Sequence, residues 1–123
     1  MAAAPGKIRV LHLLCKHTKS RNPVSRRTGG STSSVSVDSA HTELQAIIGK
    51  LQTLSGQELV DAFAKEASGR SDCGSYAQGG DLGFFGPGEM QKPFEEASYA
   101  LEVGKMSGII DTDSGSHIIL RIA

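Results

Sequence analysis

The stretch that decides the fold is Lys7-Ile8-Arg9-Val10-Leu11-His12-Leu13-Leu14, close to the N-terminus. Polar and apolar side chains alternate over its first half, and its second half is largely apolar on both faces. A strand that is apolar on both faces is covered on both sides, so residues 7–14 predict a central β-strand. His12 is a polar interruption in that apolar run.

The segments outward from this strand predict an α+β domain. Apolar residues at helical spacing from Leu44 to Leu54 predict a first helix, with Asp38 or Ser39 as its N-cap. The other predicted elements are a helix over about 57–67, a strand over 81–85, a helix from Pro93 to about Gly104, and strands over about 108–112 and 116–122. The last two strands form an antiparallel hairpin, and this order of elements is typical of α+β folds.

Composition narrows the class of protein. The chain has 123 residues, of which 38% are hydrophobic and 21% charged, the balance of one globular domain. It contains no run of about 18 apolar residues, so we expect no membrane association. Its two cysteines, Cys15 and Cys73, are too few for a disulfide-stabilised secreted scaffold, which favours free thiols inside the cell.

The net charge of zero is a cancellation between two parts of the chain. Residues 1–37 contain seven Lys or Arg and no carboxylate, a net charge of +7, whereas residues 38–123 set six Lys or Arg against 13 carboxylates, a net charge of −7. We expect residues 19–37, rich in Ser, Gly and Arg, to form a long mobile loop. The basic residues within 16–27 suit phosphate, and because no aromatic residue lies among them we expect no nucleic-acid binding.

His12 and His117 are candidates for one site because both interrupt apolar strands. If these strands are neighbours, the two imidazoles can face each other and satisfy each other's hydrogen bonds. Taken singly, each fits a buried core histidine better than a catalytic one.

Cys73 lies in the polar loop Ser71-Asp72-Cys73-Gly74, where a thiol is partly exposed. It could be the nucleophile of a thiol hydrolase, although an incidental loop cysteine is the simpler interpretation. A zinc site formed by Cys15, His17, Cys73 and His117 has no recognised ligand spacing, so we expect no metal.

Five short motifs occur in order between Lys7 and Arg121. They are His12-Leu13-Leu14-Cys15-Lys16-His17, Ser71-Asp72-Cys73, Gly80-Asp81-Leu82-Gly83, Met90-Gln91-Lys92-Pro93-Phe94-Glu95 and Thr112-Asp113-Ser114-Gly115-Ser116-His117-Ile118-Ile119. Together they resemble the parvulin family of peptidyl-prolyl cis/trans isomerases. The likeness is strongest to the eukaryotic subgroup that acts on phosphoserine–proline or phosphothreonine–proline bonds. Five ordered motifs are far more specific than any one of them.

The resemblance implies a four-stranded antiparallel sheet surrounded by about four helices. Residues 7–123 would form this domain behind a flexible N-terminal segment of residues 1–6. The implied enzyme needs no cofactor, rotates the X–Pro bond without a covalent intermediate, and acts as a monomer on phosphorylated Ser/Thr-Pro proteins in the cytoplasm and nucleus. The chain contains no Trp, so we expect no WW domain of the kind that many members carry.

The resemblance also implies roles for individual residues. The implied catalytic residues are His12, Cys73, Thr112, Ser114 and His117. The implied substrate contacts are a proline pocket of Leu82, Met90 and Phe94, the backbone N–H of Gln91, and phosphate ligands Lys16 and Arg21, with Arg26 and Arg27 as further candidates.

Two features depart from the family pattern. The phosphate-directed subgroup commonly has two adjacent arginines where this chain has Arg21-Asn22, so phosphate selection depends on fewer cations. The loop between Arg21 and the first helix is several residues longer than usual, and we assign no function to residues 28–37. The alternative function is a module that binds phospho-Ser/Thr-Pro with little turnover, which would need the basic rim and the apolar pocket but neither Cys73 nor the histidines.

Overall fold

The computed structural model describes residues 6–123. The N-terminal segment predicted to be flexible, residues 1–6, therefore lies outside the described residues except for Gly6. The elements in chain order are β1 (Ile8–Cys15), α1 (Val37–Leu51), α2 (Gly56–Arg70), a 3-10 helix (Gly74–Gln78), β2 (Asp81–Phe85), α3 (Lys92–Ala100), β3 (Ile110–Thr112) and β4 (Gly115–Arg121). Within residues 6–123 no helix has both the length and the apolar character that crossing a bilayer requires.

The four strands form one antiparallel sheet in the order β2-β1-β4-β3. This confirms the predicted α+β class and the central position of β1. The expectation of about four helices is wrong, because the described residues contain three α-helices. The segment after α2 forms only a five-residue 3-10 helix, which ends where Gly79 adopts a left-handed conformation at φ +65°.

Strand β1 separates two hydrophobic cores, because successive side chains of a strand point to opposite faces. The β1 residues that pack against α1 and α2 are Leu11, Leu13 and Cys15. The core on the opposite face, next to α3, contains Val10, Phe85, Phe94 and Ile119. His12 lies between Leu11 and Leu13 and therefore shares the face next to α3.

Helix α1 begins earlier than its apolar spacing indicates. Its N-cap is Ser36, whose Oγ accepts a hydrogen bond from the Ser39 N–H at 3.0 Å. The prediction of Asp38 or Ser39 as the cap is therefore wrong. The buried side of the helix includes Leu44 and Leu51, as the spacing predicts.

The loop between β1 and α1 contains no helix, and backbone hydrogen bonds organise it. Val24 and Ser31 form an isolated antiparallel bridge, which makes the middle of the loop a small hairpin. The Thr18 N–H donates to the Val35 carbonyl oxygen at 2.8 Å and closes the base of the loop. The mobility of residues 19–37 stays a prediction.

The backbone of Gly80 lies directly against β1 at His12. Gly80 has φ +85°, and its carbonyl oxygen accepts a hydrogen bond from the His12 N–H at 2.9 Å. A Cβ atom on Gly80 would lie 2.2 Å from the His12 carbonyl oxygen, far inside van der Waals contact. Only glycine fits this approach, which fixes His12 relative to the loop that carries Cys73.

We expect Gly80→Ala to lower the free energy of unfolding by about 2–3 kcal/mol, because backbone strain adds to the clash with β1. Urea denaturation of the native protein and the variant measures this loss. Gly83→Ala is the matched control, since Gly83 has φ +73° but no heavy atom within 4 Å of a Cβ. The free energy of unfolding of Gly83→Ala should fall by only about 1 kcal/mol. Equal losses in the two variants would show that the contact between Gly80 and β1 adds nothing to stability.

Candidate active site

His12 on β1 and His117 on β4 meet on the sheet face next to α3. In the β1–β4 register His12 is opposite Ile119 and Leu14 is opposite His117, so the two histidines are diagonal neighbours on one face. Their Nδ1 atoms are 3.1 Å apart, and their ring centroids are 5.3 Å apart with 25° between the planes. The structure thus brings together the two histidines that interrupt the apolar strands.

Both imidazoles are buried, each with 4% exposure, and all four ring nitrogens have hydrogen-bond partners. Nε2 of His12 lies 3.1 Å from Ser75 Oγ, and Nε2 of His117 lies 2.7 Å from Thr112 Oγ1. A contact between two Nδ1 atoms needs one proton, so one ring donates and the other accepts. Burial, and then the neighbouring His12, hold the pKa of His117 well below its ordinary value, which keeps His117 neutral near pH 7.

The Cys73 thiol lies beside this chain of hydrogen bonds, half-buried at the N-cap of the 3-10 helix. Burial by itself raises a thiol pKa. Hydrogen bonding and charge from His12, together with hydrogen bonds from the side chain and backbone of Ser75, outweigh burial and lower the pKa of Cys73 to about 6. At neutral pH the thiolate therefore predominates.

The zinc alternative is not supported by the geometry. Among residues 6–123 no three His, Cys, Asp or Glu side chains converge as a metal site requires. Cys15 lies in the core beneath α1 and α2, whereas His117 lies on the opposite face of the sheet. The sheet itself therefore separates members of the set considered from the sequence.

An apolar cavity of about 160 Å³ lies between α3, β2 and the histidine pair. Its walls are His12, Cys73, Leu82, Met90, Gln91, Phe94, Ser114 and His117. All three residues predicted to form a proline pocket therefore line it. The Phe94 ring packs edge-on against His12, with 5.4 Å between the ring centroids, and gives the cavity a firm wall. A largely apolar cleft with a few polar groups suits a small ring such as proline.

Gln91 and Ser114 join α3 to the β3–β4 turn at the rim of this cavity. Gln91 Nε2 donates to Ser114 Oγ at 2.7 Å, and Gln91 Oε1 accepts from the Asp113 N–H at 3.2 Å. The backbone N–H of Gln91 has no acceptor within residues 6–123. It is therefore available to a bound peptide chain.

A second cavity, of about 210 Å³, adjoins the first, because Cys73 and Ser114 line both. Its other walls are Leu14, Lys16, Arg21, Asn22, Arg26 and Gly74. These described walls include three cations and no carboxylate, so their positive charge is uncompensated. We call this the basic cavity, and its charge suits an anion.

The four residues predicted to bind phosphate are not equivalent in the structure. Lys16 is buried, and its ammonium group donates to the Val24 carbonyl oxygen at 2.8 Å. Arg21 is exposed, and its backbone N–H is hydrogen-bonded to the β3–β4 turn at 2.7 Å. Arg26 lines the basic cavity, but Arg27 does not, and the buried Nε of Arg27 has no partner in the part of the chain that the structure describes.

Two residues that contribute to the site, Asp72 and Ser75, were assigned no role from the sequence. Ser75 bonds to His12 and lowers the pKa of Cys73, as described above. Oδ2 of Asp72 accepts hydrogen bonds from the Lys16 N–H at 2.9 Å and from the Arg70 guanidinium at 3.1 Å. The Asp72 carbonyl oxygen accepts from the Arg26 N–H at 2.9 Å. Asp72 stands beside Cys73 in a recognised motif, but its partners are distant in sequence, and no local signal identifies them.

Comparison with known proteins places these features in a family. Residues 12–123 match the rotamase family, described as the PPIC-type PPIase domain. The match includes both histidines, the Cys73 loop and the walls of the apolar cavity.

Individual relatives resemble the chain over nearly its whole length. The chain is 48% identical over 117 residues to the peptidyl-prolyl cis-trans isomerase Pin1 of Digitalis lanata, covering 94% of this chain and 95% of that protein. It is 46% identical over 118 residues to the isomerase ESS1 of Saccharomyces cerevisiae, covering 96% of this chain and 66% of that longer protein. The solution structure of TbPIN1 is 53% identical and superposes with a TM-score of 0.83, covering 98% of this chain and 100% of that one. The chain therefore belongs to the parvulin-type, or PPIC-type, family of peptidyl-prolyl cis-trans isomerases.

Proposed function

We propose that this isomerase acts on X–Pro bonds of protein substrates and prefers those in which X is phosphoserine or phosphothreonine. The junction of the two cavities at Cys73 and Ser114 carries the proposal. A phosphorylated residue and the proline that follows it are adjacent in a peptide. The phosphate can therefore enter the basic cavity while the proline ring fills the apolar one, which sets the bond between them beside Cys73.

Rotation of this bond requires no bond to break. The barrier of about 18–20 kcal/mol comes from the partial double-bond character of the C–N bond, which is lost when the amide twists. The site has to bind the twisted amide better than either planar form. The apolar cavity would hold the ring, and the Gln91 N–H would hold the chain that carries it.

The thiolate of Cys73 can favour the twisted amide over the planar forms electrostatically. In a planar amide the carbonyl oxygen carries negative charge drawn from the nitrogen, and twisting returns that charge to the nitrogen. With the carbonyl oxygen beside Cys73, an anionic sulfur repels the planar form more than the twisted form. The neutral His117 and its partners would hold His12, and through it Cys73, in position.

The two alternative functions are less well supported. A module that only binds phospho-Ser/Thr-Pro has no need for a thiol whose pKa is lowered to about 6 beside a buried histidine pair. A thiol hydrolase needs a histidine beside the thiol that is free to take up a proton and deliver it to the leaving group, whereas both ring nitrogens of His12 are already hydrogen-bonded, to His117 and to Ser75. The geometry therefore favours turnover by rotation.

We expect alkylation of Cys73 by iodoacetamide to increase with pH through a midpoint near 6, because the thiolate is the reactive form. Mass spectrometry of the native protein after short pulses at different pH values measures this profile. Cys15 is the internal control, since burial raises its pKa to about 12 and it should stay unmodified. A midpoint near the ordinary thiol value would contradict the role of His12 and Ser75 in lowering the Cys73 pKa.

We expect Cys73→Ala to lower kcat/KM by about 100-fold and Cys73→Asp to stay within about tenfold of the native enzyme, because aspartate keeps a negative charge at this position. A protease-coupled assay or exchange NMR on an X–Pro peptide measures both values. Circular dichroism checks that the variants fold. Complete loss of activity in both Cys73→Asp and Cys73→Ser would instead support covalent catalysis.

The phosphate preference is tested with peptides that differ only in the residue before proline: serine, phosphoserine or glutamate. At low salt we expect kcat/KM for the phosphoserine peptide to exceed that for the serine peptide by at least about tenfold, because charge-assisted hydrogen bonds strengthen binding in the basic cavity. The advantage should shrink as salt is added. Equal rates for the two peptides would refute the preference, while tight binding without turnover would indicate a binding module.

A further inference from the structure

One of the polar residues that line the basic cavity is neutral, which lowers the positive charge of the cavity. Arg21 and the next residue, Asn22, both line it, but the Asn22 amide is neutral. Lys16 is buried, and one of its N–H groups is already donated to the Val24 carbonyl oxygen. A dianionic group entering this cavity therefore needs cationic donors beyond Lys16 and Arg21.

Arg26 is held at this cavity by its own backbone. Its N–H donates to the Asp72 carbonyl oxygen at 2.9 Å, directly before Cys73 in the chain. The turn that begins at Ser25 is closed by the hydrogen bond from the Gly29 N–H to the Ser25 carbonyl oxygen at 2.8 Å. These bonds fix the Cα of Arg26 against the catalytic loop, even though the residue belongs to the long segment between β1 and α1.

The Arg26 guanidinium lies over Gly74. Its Nη2, Cζ and Nε atoms are 3.5, 3.6 and 3.7 Å from the position that a Cβ on Gly74 would occupy. Gly74 is not among the glycines with positive φ, so its backbone conformation does not call for glycine. The space above it admits a Cβ at ordinary contact distance, whereas a longer side chain would compete with the guanidinium for the same space.

The Arg26 side chain is available to a ligand. Within residues 6–123 no carboxylate lies within 4.0 Å of the Arg21 or Arg26 guanidinium. The nearby Asp72 carboxylate is instead occupied by the Lys16 N–H and by Arg70. Two guanidinium groups thus border one cavity with their donors free, an arrangement that suits the oxygens of a phosphate group.

We infer that Arg26 supplies the second guanidinium of the phosphate site, compensating for the neutral Asn22, and that Gly74 keeps open the space Arg26 occupies. This inference rests on the proposed preference for phosphorylated substrates. It assigns substrate selection to a residue of the long loop and ties the phosphate to the Cys73 loop through the backbone of Asp72.

The test measures the ratio of kcat/KM for a phosphoserine–proline peptide to kcat/KM for its serine twin. This ratio does not depend on how much of a variant is folded. We expect Arg26→Gln to lower the ratio by about tenfold. Arg27→Gln is the matched control one residue along, outside the basic cavity, and should keep the native ratio.

A rescue variant separates a lost cation from a disturbed loop. Since Asn22 also lines the cavity, the double variant Asn22→Arg/Arg26→Gln should recover most of the native ratio. If it recovers none, Arg26 acts through the loop backbone and the inference is overturned.

Substitutions of Gly74 test whether the Arg26 side chain needs the space above this residue. Gly74→Ala places a Cβ at ordinary contact distance from the guanidinium and should keep the ratio, whereas Gly74→Leu should lower it as Arg26→Gln does. Equal ratios in the two Gly74 variants would count against the inference.

The outcomes separate the inference from the function on which it rests. If the native enzyme shows no preference for the phosphopeptide, the proposed function fails. If the native enzyme shows the preference, and Arg21→Gln abolishes it while Arg26→Gln does not, the inference fails alone.

Discussion

The structure of the site depends on the hydrogen bonds of Asp72. Its carboxylate accepts from the Lys16 N–H at the end of β1 and from Arg70 at the end of α2, while its backbone bonds to Leu14 and Arg26. Asp72 is 2% exposed, and a carboxylate this buried requires such compensation. One residue therefore aligns the central strand, the second helix and the long loop around Cys73.

The histidine pair shows how a buried polar group is tolerated in the middle of a sheet. Two imidazoles on adjacent central strands would each be costly alone, because an unpaired buried nitrogen loses its hydrogen bonds to water. Their Nδ1 atoms bond to each other, and Ser75 and Thr112 satisfy the outer nitrogens. The result is a rigid polar row beneath the apolar cavity, which positions the thiol without placing a stable charge on His117.

The two adjoining cavities differ in charge: one is lined by three cations, and the other is largely apolar. The walls of the basic cavity come mainly from the positively charged first part of the chain, whereas half of the residues that line the apolar cavity come from residues 82–94. Cys73 and Ser114 stand where they meet. An ionised thiol at this point is stabilised by a hydrogen bond and charge from His12 and by hydrogen bonds from Ser75.

The sequence by itself determined the α+β class and the central strand, because hydrophobic periodicity is a local property. The residues that line the apolar cavity came from the resemblance of five short motifs to the parvulin family. It misplaced the cap of α1, which Ser36 provides through a bond to Ser39. It did not separate Arg26 from Arg27, because the backbone bond that holds Arg26 at the basic cavity joins it to Asp72, a residue distant in the sequence. The Ser75 contact and the 3.1 Å approach of the two histidines likewise depend on strand register and on the fit of Gly80 against β1. These contacts join residues that are far apart in the sequence, so only the tertiary structure decides the geometry of the site.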